Sequence, residues 1–456
     1  MVRVILAAVV ALGFASQLIA AERPPNIVIV LADDLGYGDL GCYGQTKIKT
    51  PNLDKLAADG IRFITCYAGS TVCAPSRCAL MTGLHTGHCR VRGNARVALR
   101  PEDACVAELL KKAGYATALV GKWGLGDDGS AGVPNKKGFD HFFGYLDQRL
   151  AHNSYPAWLW RDGEKVTLPN VESKTPGVAQ TRAAYAPDLF LAEGLKFIEA
   201  NKAKPFFLYY ATTVPHANNE RTRAEKSGNE VPSDAPYTGK PWPKPEKDKA
   251  AMITRLDSDV GKILAKLTEL GLDGNTVVVF ASDNGPHREG GNDPEFFDSN
   301  GPFRGIKRSL TDGGIRVPCI VRWTGVTKPG TVSDRVWAFW DFLPTACELA
   351  GVKPPGGLDG ISIVPSITGK GEQRSHDFLY WEFHEGGTKQ AVRYKHWKAI
   401  RPAPGAKLVL YDLKADVGEK TDVAAEHPDV VKVIEGYLKT ARTESKEFPI
   451  RAPKRK

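Results

Sequence analysis

The side chains able to do chemistry fall into a few short clusters. Cys73-Ala74-Pro75-Ser76-Arg77 puts a thiol at the start of a segment that Pro75 favours as a first helical turn, with Arg77 one turn onward on the same face. A guanidinium is charged at every accessible pH, so this spacing sets a fixed cation near the sulfur. Asp33-Asp34 and Ser282-Asp283-Asn284-Gly285 each follow a strand-like run and offer carboxylate and amide oxygens. Such hard donors suit Ca²⁺ rather than a softer metal, which makes Asp33, Asp34, Asp283 and Asn284 candidate ligands. Lys122 and Lys307 lie in the glycine-flanked runs Gly121-Lys122-Trp123-Gly124 and Gly305-Ile306-Lys307. His216, in Val214-Pro215-His216, belongs to the one residue type that titrates near neutrality unaided, as proton transfer requires.

These residues need elements to hold them together. Apolar strand-like runs at Asn26 to Ala32, Ile61 to Tyr67, Thr117 to Val120, Pro205 to Ala211 and Thr276 to Ala281 alternate with helical patterns. The helices are expected at Asn52 to Asp59, Ala104 to Lys112, Leu189 to Ala200 and Ala250 to Leu270. This alternation predicts an α/β fold: a large, mostly parallel sheet with helices on both faces. Ligands of such sheets bind beyond the carboxyl ends of the strands, where Asp33-Asp34, Lys122, His216 and Asp283-Asn284 all fall. From about Gly369 the pattern changes to short extended pieces and a last helix near Pro428 to Glu444, which predicts a smaller C-terminal antiparallel sheet with one helix. The expected divisions are residues 1–21, 22–368 and 369–456. The Pro- and Lys-rich stretches Val231 to Lys249 and Pro402 to Lys407 read as linkers.

The segment Cys73 to Arg77, followed by Ala79-Leu80-Met81-Thr82-Gly83, resembles the sulfatase signature Cys-x-Pro-Ser-Arg. The resemblance implies that Cys73 is converted during export to formylglycine, whose hydrate supplies one hydroxyl to attack sulfur and a second to expel sulfate. It implies a calcium ion on Asp33, Asp34, Asp283 and Asn284, with the residue at position 73 completing the shell. It further implies that Arg77, Lys122 and Lys307 contact the sulfate and that His216 protonates the leaving alcohol. Gly313-Gly314-Ile315-Arg316-Val317-Pro318 strengthens the match at Lys307. One position departs: the family pattern reads Gly-Lys-Trp-His-Leu-Gly where this chain has Gly124. His85, His88, His152 and His287 are the imidazoles in family-like segments that could fill the space.

Residues 1–21 carry Arg3, an apolar run from Val4 to about Leu18, and small residues at Ala20 and Ala21, the pattern of a cleaved export signal. The mature protein is expected to be periplasmic or extracellular, with no stable membrane insertion. The formal charge of +9 falls to +8 without Arg3, so the surface favours polyanions. No basic helix, RNA-binding signature or zinc-finger spacing points to nucleic acid, and sulfated carbohydrate fits an exported protein better. The eight cysteines include no Cys-x-x-Cys pair, and their pairing is not deducible from one sequence.

The runs Gln148 to Asn153, Ser282 to Asp293 and Trp381-Glu382-Phe383-His384-Glu385 are similar to bacterial carbohydrate sulfatases. The expected activity is hydrolysis of sulfate esters on a carbohydrate, with galactose or N-acetylgalactosamine sulfate as the substrate class. His152, His287, His384 and Arg393 are the candidate sugar contacts. A formylglycine-generating enzyme is the expected maturation partner. A phosphodiester or phosphonate hydrolase using the same aldehyde, and a catalytically silent glycan-binding relative, are the competing readings.

Overall fold

The computed structural model describes residues 23–453; the expected export signal lies outside the described residues. The strands that carry the site are β1 (Asn26–Ala32), β2 (Ile61–Tyr67), β3 (Ala116–Lys122) and β4 (His141–Tyr145). Two outlying strands and a short hairpin follow: β5 (Trp158–Arg161), β6 (Glu164–Thr167), β7 (Val171–Glu172) and β8 (Ala179–Thr181). Next come β9 (Phe206–Ala211), β10 (Thr276–Ser282), β11 (Arg316–Trp323), β12 (Thr331–Ser333) and β13 (Trp337–Ala338). The last four are β14 (Leu379–Phe383), β15 (Lys389–Tyr394), β16 (Trp397–Arg401) and β17 (Val409–Asp412).

The large sheet runs in the order β12-β2-β11-β10-β1-β9-β3-β4-β5-β6, with β13 beside β2. Its centre, from β10 to β4, is parallel, whereas β11 on one side and β5 and β6 on the other pair antiparallel. Both faces are covered. Ile27, Ile29 and Leu31 enter one core and Val28, Val30 and Ala32 the other, which is why β1 reads as an unbroken apolar run rather than an alternating one.

The stretch read as a linker from Val231 to Lys249 is corrected in its last part, because the helix Lys244–Glu269 already starts there. Pro245 sits in its first turn, where a missing N–H costs nothing, so the proline that looked like a breaker is a helix start. The small sheet β14-β15-β16-β17 is antiparallel throughout. Leu379, Trp381 and Phe383 of β14 pack toward Tyr67, Val72 and Ala79 of the large unit, while Tyr380 faces the helix Pro428–Thr440. All eight cysteines are free thiols, and no described helix is long and apolar enough to cross a membrane.

Candidate active site

Strand register assembles the site. Ala32 pairs with Ser282 at the ends of parallel β1 and β10, so the residues that follow, Asp33-Asp34 and Asp283-Asn284, leave the sheet side by side. Asp34 adopts φ +65°, and its backbone N–H donates to Asp283 Oδ1 at 3.1 Å. Ser282 Oγ accepts from Leu35 N–H at 2.9 Å and donates to the Asn284 carbonyl, tying the two turns together. On the other side of β1, Leu31 pairs with Ala211 of β9, which pairs with Gly121 of β3; Lys122 and His216 therefore rise from neighbouring strand ends. Gly121 cannot be replaced freely: at φ +114° an added Cβ would lie 2.0 Å from the Ala211 carbonyl oxygen.

Cys73 opens the helix Cys73–Thr82, every residue of which is buried. Ser76 of the motif has a structural task, its Oγ accepting from Gly69 N–H at 3.1 Å to hold the loop that leads into the helix. The Cys73 thiol lies 3.3 Å from Asp33 Oδ1. Burial, then the Asp283 and Asp33 carboxylates, push that thiol well above its usual range, so the unmodified sulfur stays protonated.

Three buried cations surround this point. Arg77 donates from Nε and Nη2 to Asp283 Oδ2 at 3.0 and 2.8 Å and from Nη1 to the Lys122 carbonyl at 2.8 Å. Lys122 Nζ donates to Asp33 Oδ2 at 2.6 Å. Lys307 Nζ donates to Asp34 Oδ2 at 2.7 Å, to His216 Nε2 at 3.1 Å and to Glu289 Oε2 at 3.3 Å. His216 Nδ1 donates to its neighbour's carbonyl, Ala217 O, at 2.7 Å, which leaves Nε2 as an acceptor. Burial and the Lys307 charge push the His216 pKa well below its usual value, so its ring is neutral at rest.

The oxygen donors fit a hard divalent cation. Asn284 Oδ1 is buried with no hydrogen-bond partner. Burial and the adjacent Asp33 carboxylate push Asp283 up to about 7. An orphaned amide oxygen and a carboxylate uneasy with its own charge are the features expected of a ligand set arranged around a cation. Asp33, Asp34, Asp283 and Asn284 are the residues that could hold it.

The structure brings most of the sequence-predicted residues together. His152 stacks on His216 with ring centroids 4.8 Å apart, and His287 stacks on its other side at 5.7 Å. His384 is instead turned into a buried network, 2.9 Å from Glu382 Oε1. Arg393 sits at the opposite end of β14 and β15 from His384, engaged by the Tyr67 hydroxyl and the Lys395 carbonyl, and makes no contact with the cluster. His85 and His88 stack on each other against Asp359, also away from it. Glu289 was not foreseen: it receives Lys307 and, at 2.8 Å, Arg308, and the Lys307 charge overcomes its burial to hold it at about 2. Its only signal was its place two residues after His287 in a motif-bearing loop.

Fold and rim together define an enzyme that handles an oxyanion beside hard oxygen donors. A family profile described as Sulfatase matches residues 25–352, and a second, described as N-sulphoglucosamine sulphohydrolase, C-terminal, matches 303–444. The chain belongs to the sulfatase family and is a sulfuric ester hydrolase. It is 35% identical to N-acetylgalactosamine-6-sulfatase of Rattus norvegicus over 407 residues, covering 83% of this chain and 72% of that one. It is 32% identical to Arylsulfatase A of Homo sapiens, covering 91% and 87%. Among solved structures, Ps i-CgsB in complex with k-i-k-neocarrahexaose superposes with a TM-score of 0.80 at 27% identity, covering 94% of this chain and 95% of that one.

Proposed function

We propose that this sulfatase acts on sulfated carbohydrate through a formylglycine made from Cys73, with calcium held by Asp33, Asp34, Asp283 and Asn284. The observation that carries this reading is the setting of Cys73, 3.3 Å from Asp33 Oδ1 at a rim shared with buried Arg77, Lys122 and Lys307. A hydrated aldehyde at position 73 supplies one hydroxyl for attack on sulfur and a second that later expels the sulfate. Calcium at the four oxygen donors supplies polarisation of the sulfuryl oxygens.

The remaining work falls to the side chains present. Arg77, Lys122 and Lys307 are shielded from water and already oriented by Asp283, Asp33 and Asp34, so their charge meets a sulfate monoanion without reorganisation. Lys307 Nζ holds the proton nearest His216 Nε2. The negative charge of the bound ester raises the proton affinity of His216, so its Nε2 takes up a proton from solvent when the ester binds and gives that proton to the departing alcohol oxygen as the S–O bond breaks. Because Cys73 is only 2% exposed, its oxidation by a formylglycine-generating enzyme must precede folding, which suits modification of an unfolded chain during export.

The N-acetylgalactosamine-6-sulfatase relatives and the neocarrahexaose complex support a saccharide substrate, which we take to be of the N-acetylgalactosamine or galactose type. His152, stacked on His216 and hydrogen-bonded to Glu220 at 3.1 Å, is the residue this reading assigns to the sugar. The test is peptide mass spectrometry of the exported protein beside turnover of aryl sulfate, aryl phosphate and sulfated galactosaminide. Residue 73 is expected about 18 daltons lighter than cysteine, as activation by modification requires. Full sulfatase activity with unmodified Cys73, or a preference for the phosphate, would overturn the reading.

A further inference from the structure

Gln148 carries a side-chain amide whose Nε2 and Oε1 are both buried and both lack a hydrogen-bond partner. Buried polar groups are almost always paired, and leaving both ends of one amide unpaired costs its full desolvation, so this amide is arranged for a partner that arrives from outside. Its position depends on Gly124. That residue has φ +89°, and a Cβ there would stand 1.6 Å from Gln148 Nε2; any residue other than glycine would evict the amide.

Gln148 and Gly124 line a cavity of about 660 Å³ together with Asn94, Arg96, Asp147 and Arg149. The volume falls within the roughly 300–1,000 Å³ of small-molecule sites. This cavity adjoins the reacting centre from two directions. Asn94 Oδ1 accepts from the N–H of Ala74, the residue after Cys73, at 3.1 Å. Lys122, two residues before Gly124, is paired with Asp33 at 2.6 Å. The alcohol of a sulfate ester attacked at position 73 needs space beyond the sulfate, and this cavity reaches toward the centre through Asn94, bonded to Ala74, and through Gly124, two residues from Lys122.

We infer that Gln148 recognises the leaving alcohol as a saccharide, its amide giving one hydrogen bond and accepting another from neighbouring hydroxyls of a pyranose. The inference rests on the proposed carbohydrate sulfatase activity and adds to it a specificity-determining residue. A carboxylate in this place would only accept and an ammonium only donate; an amide matches hydroxyl pairs in both senses.

The experiment compares wild type, Gln148→Leu and Gly124→Ala on a sulfated galactosaminide and on a small aryl sulfate whose alcohol has no further hydroxyls. Wild-type turnover of the aryl sulfate tests the sulfatase reading by itself. Gln148→Leu should lower kcat/KM on the saccharide at least about 10-fold more than on the aryl sulfate, chiefly through KM. Its Tm should not fall, because an apolar group of similar size replaces an unpaired amide. Gly124→Ala should reproduce the loss of selectivity with Gln148 still present. Equal losses on both substrates would place the amide at the sulfate rather than the alcohol, and an unchanged ratio with a lower Tm would make Gln148 structural; either result overturns the inference.

Discussion

Glu382 offers the sharpest test of how the small sheet is fastened to the rest of the molecule. It is fully buried in β14, and its Oε1 receives Arg92 Nη1 at 3.2 Å and the His384 ring at 2.9 Å. Oε2 receives the Tyr380 hydroxyl at 2.9 Å and Arg442 Nε at 3.0 Å. Burial alone would raise its pKa, but the His384 bond and the Arg92 and Arg442 charges outweigh that and lower it from 4.5 to about 2. A shift of this size corresponds to about 3 kcal/mol of stability at pH 7. Because the folded pKa is depressed, that stability is present above pH 4.5 and is lost as pH falls toward 2. At pH 3.5 the linkage leaves about 2 kcal/mol.

Glu382→Gln keeps the shape, removes the charge and strands two arginines, so it should cost about 3–4 kcal/mol at neutral pH. Urea unfolding followed by circular dichroism, wild type against variant at pH 7 and pH 3.5, reads both the cost and its decline. A difference below about 1 kcal/mol at pH 7, or one that stays constant down to pH 3.5, would refute the assignment. The same variant frees His384 from its anchor, so any sugar contact by that ring depends on Glu382 as well.

Three further outcomes are expected elsewhere. His141, held between Asp162 at 2.9 Å and Glu193 at 2.8 Å, has its pKa raised from 6.5 to about 9 by those two hydrogen bonds. A raised pKa stabilises fully below pH 6.5 and loses its effect as pH rises through 9, so His141→Asn should cost about 1–2 kcal/mol, after solvent screening, at pH 6 and almost nothing at pH 10. Melting curves at the two pH values check this, and a pH-independent loss would refute it. Chelation should abolish turnover, with calcium restoring it better than zinc, and Asn284→Ala should weaken calcium binding, read by calorimetry, at least about 10-fold. Full activity in excess chelator would rule out the metal.

Much of the scaffold was legible because each strand is an apolar run closed by turn residues. Asn26–Ala32 and Ile61–Tyr67 have in the structure the bounds read from sequence. Polar residues immediately after such runs were legible too, since a strand end in an α/β sheet points at its ligand rim. Antiparallel β11 was not read as a strand. Pro318 and the flanking Arg316 break the pattern, and the sheet accommodates the proline at a register shift between Val317 and Cys319. The start of the helix Lys244–Glu269 was hidden by the same ambiguity of proline, which ends some elements and begins others.

The residue types by themselves determined that this chain carries a sulfatase motif, hard oxygen donors and fixed cations at the ends of apolar strands. Only the tertiary structure decided which of them meet. Parallel register put Asp33 beside Asp283, and the loop after β10 carried Glu289 to Lys307. The packing of β14 turned His384 toward Glu382, and a glycine at 124 let Gln148 take a place no periodicity marks. Strand and helix patterns are local, set by which face a residue turns to the core, whereas a site is made by loop residues hundreds of positions apart whose neighbours are fixed only when the whole core has packed.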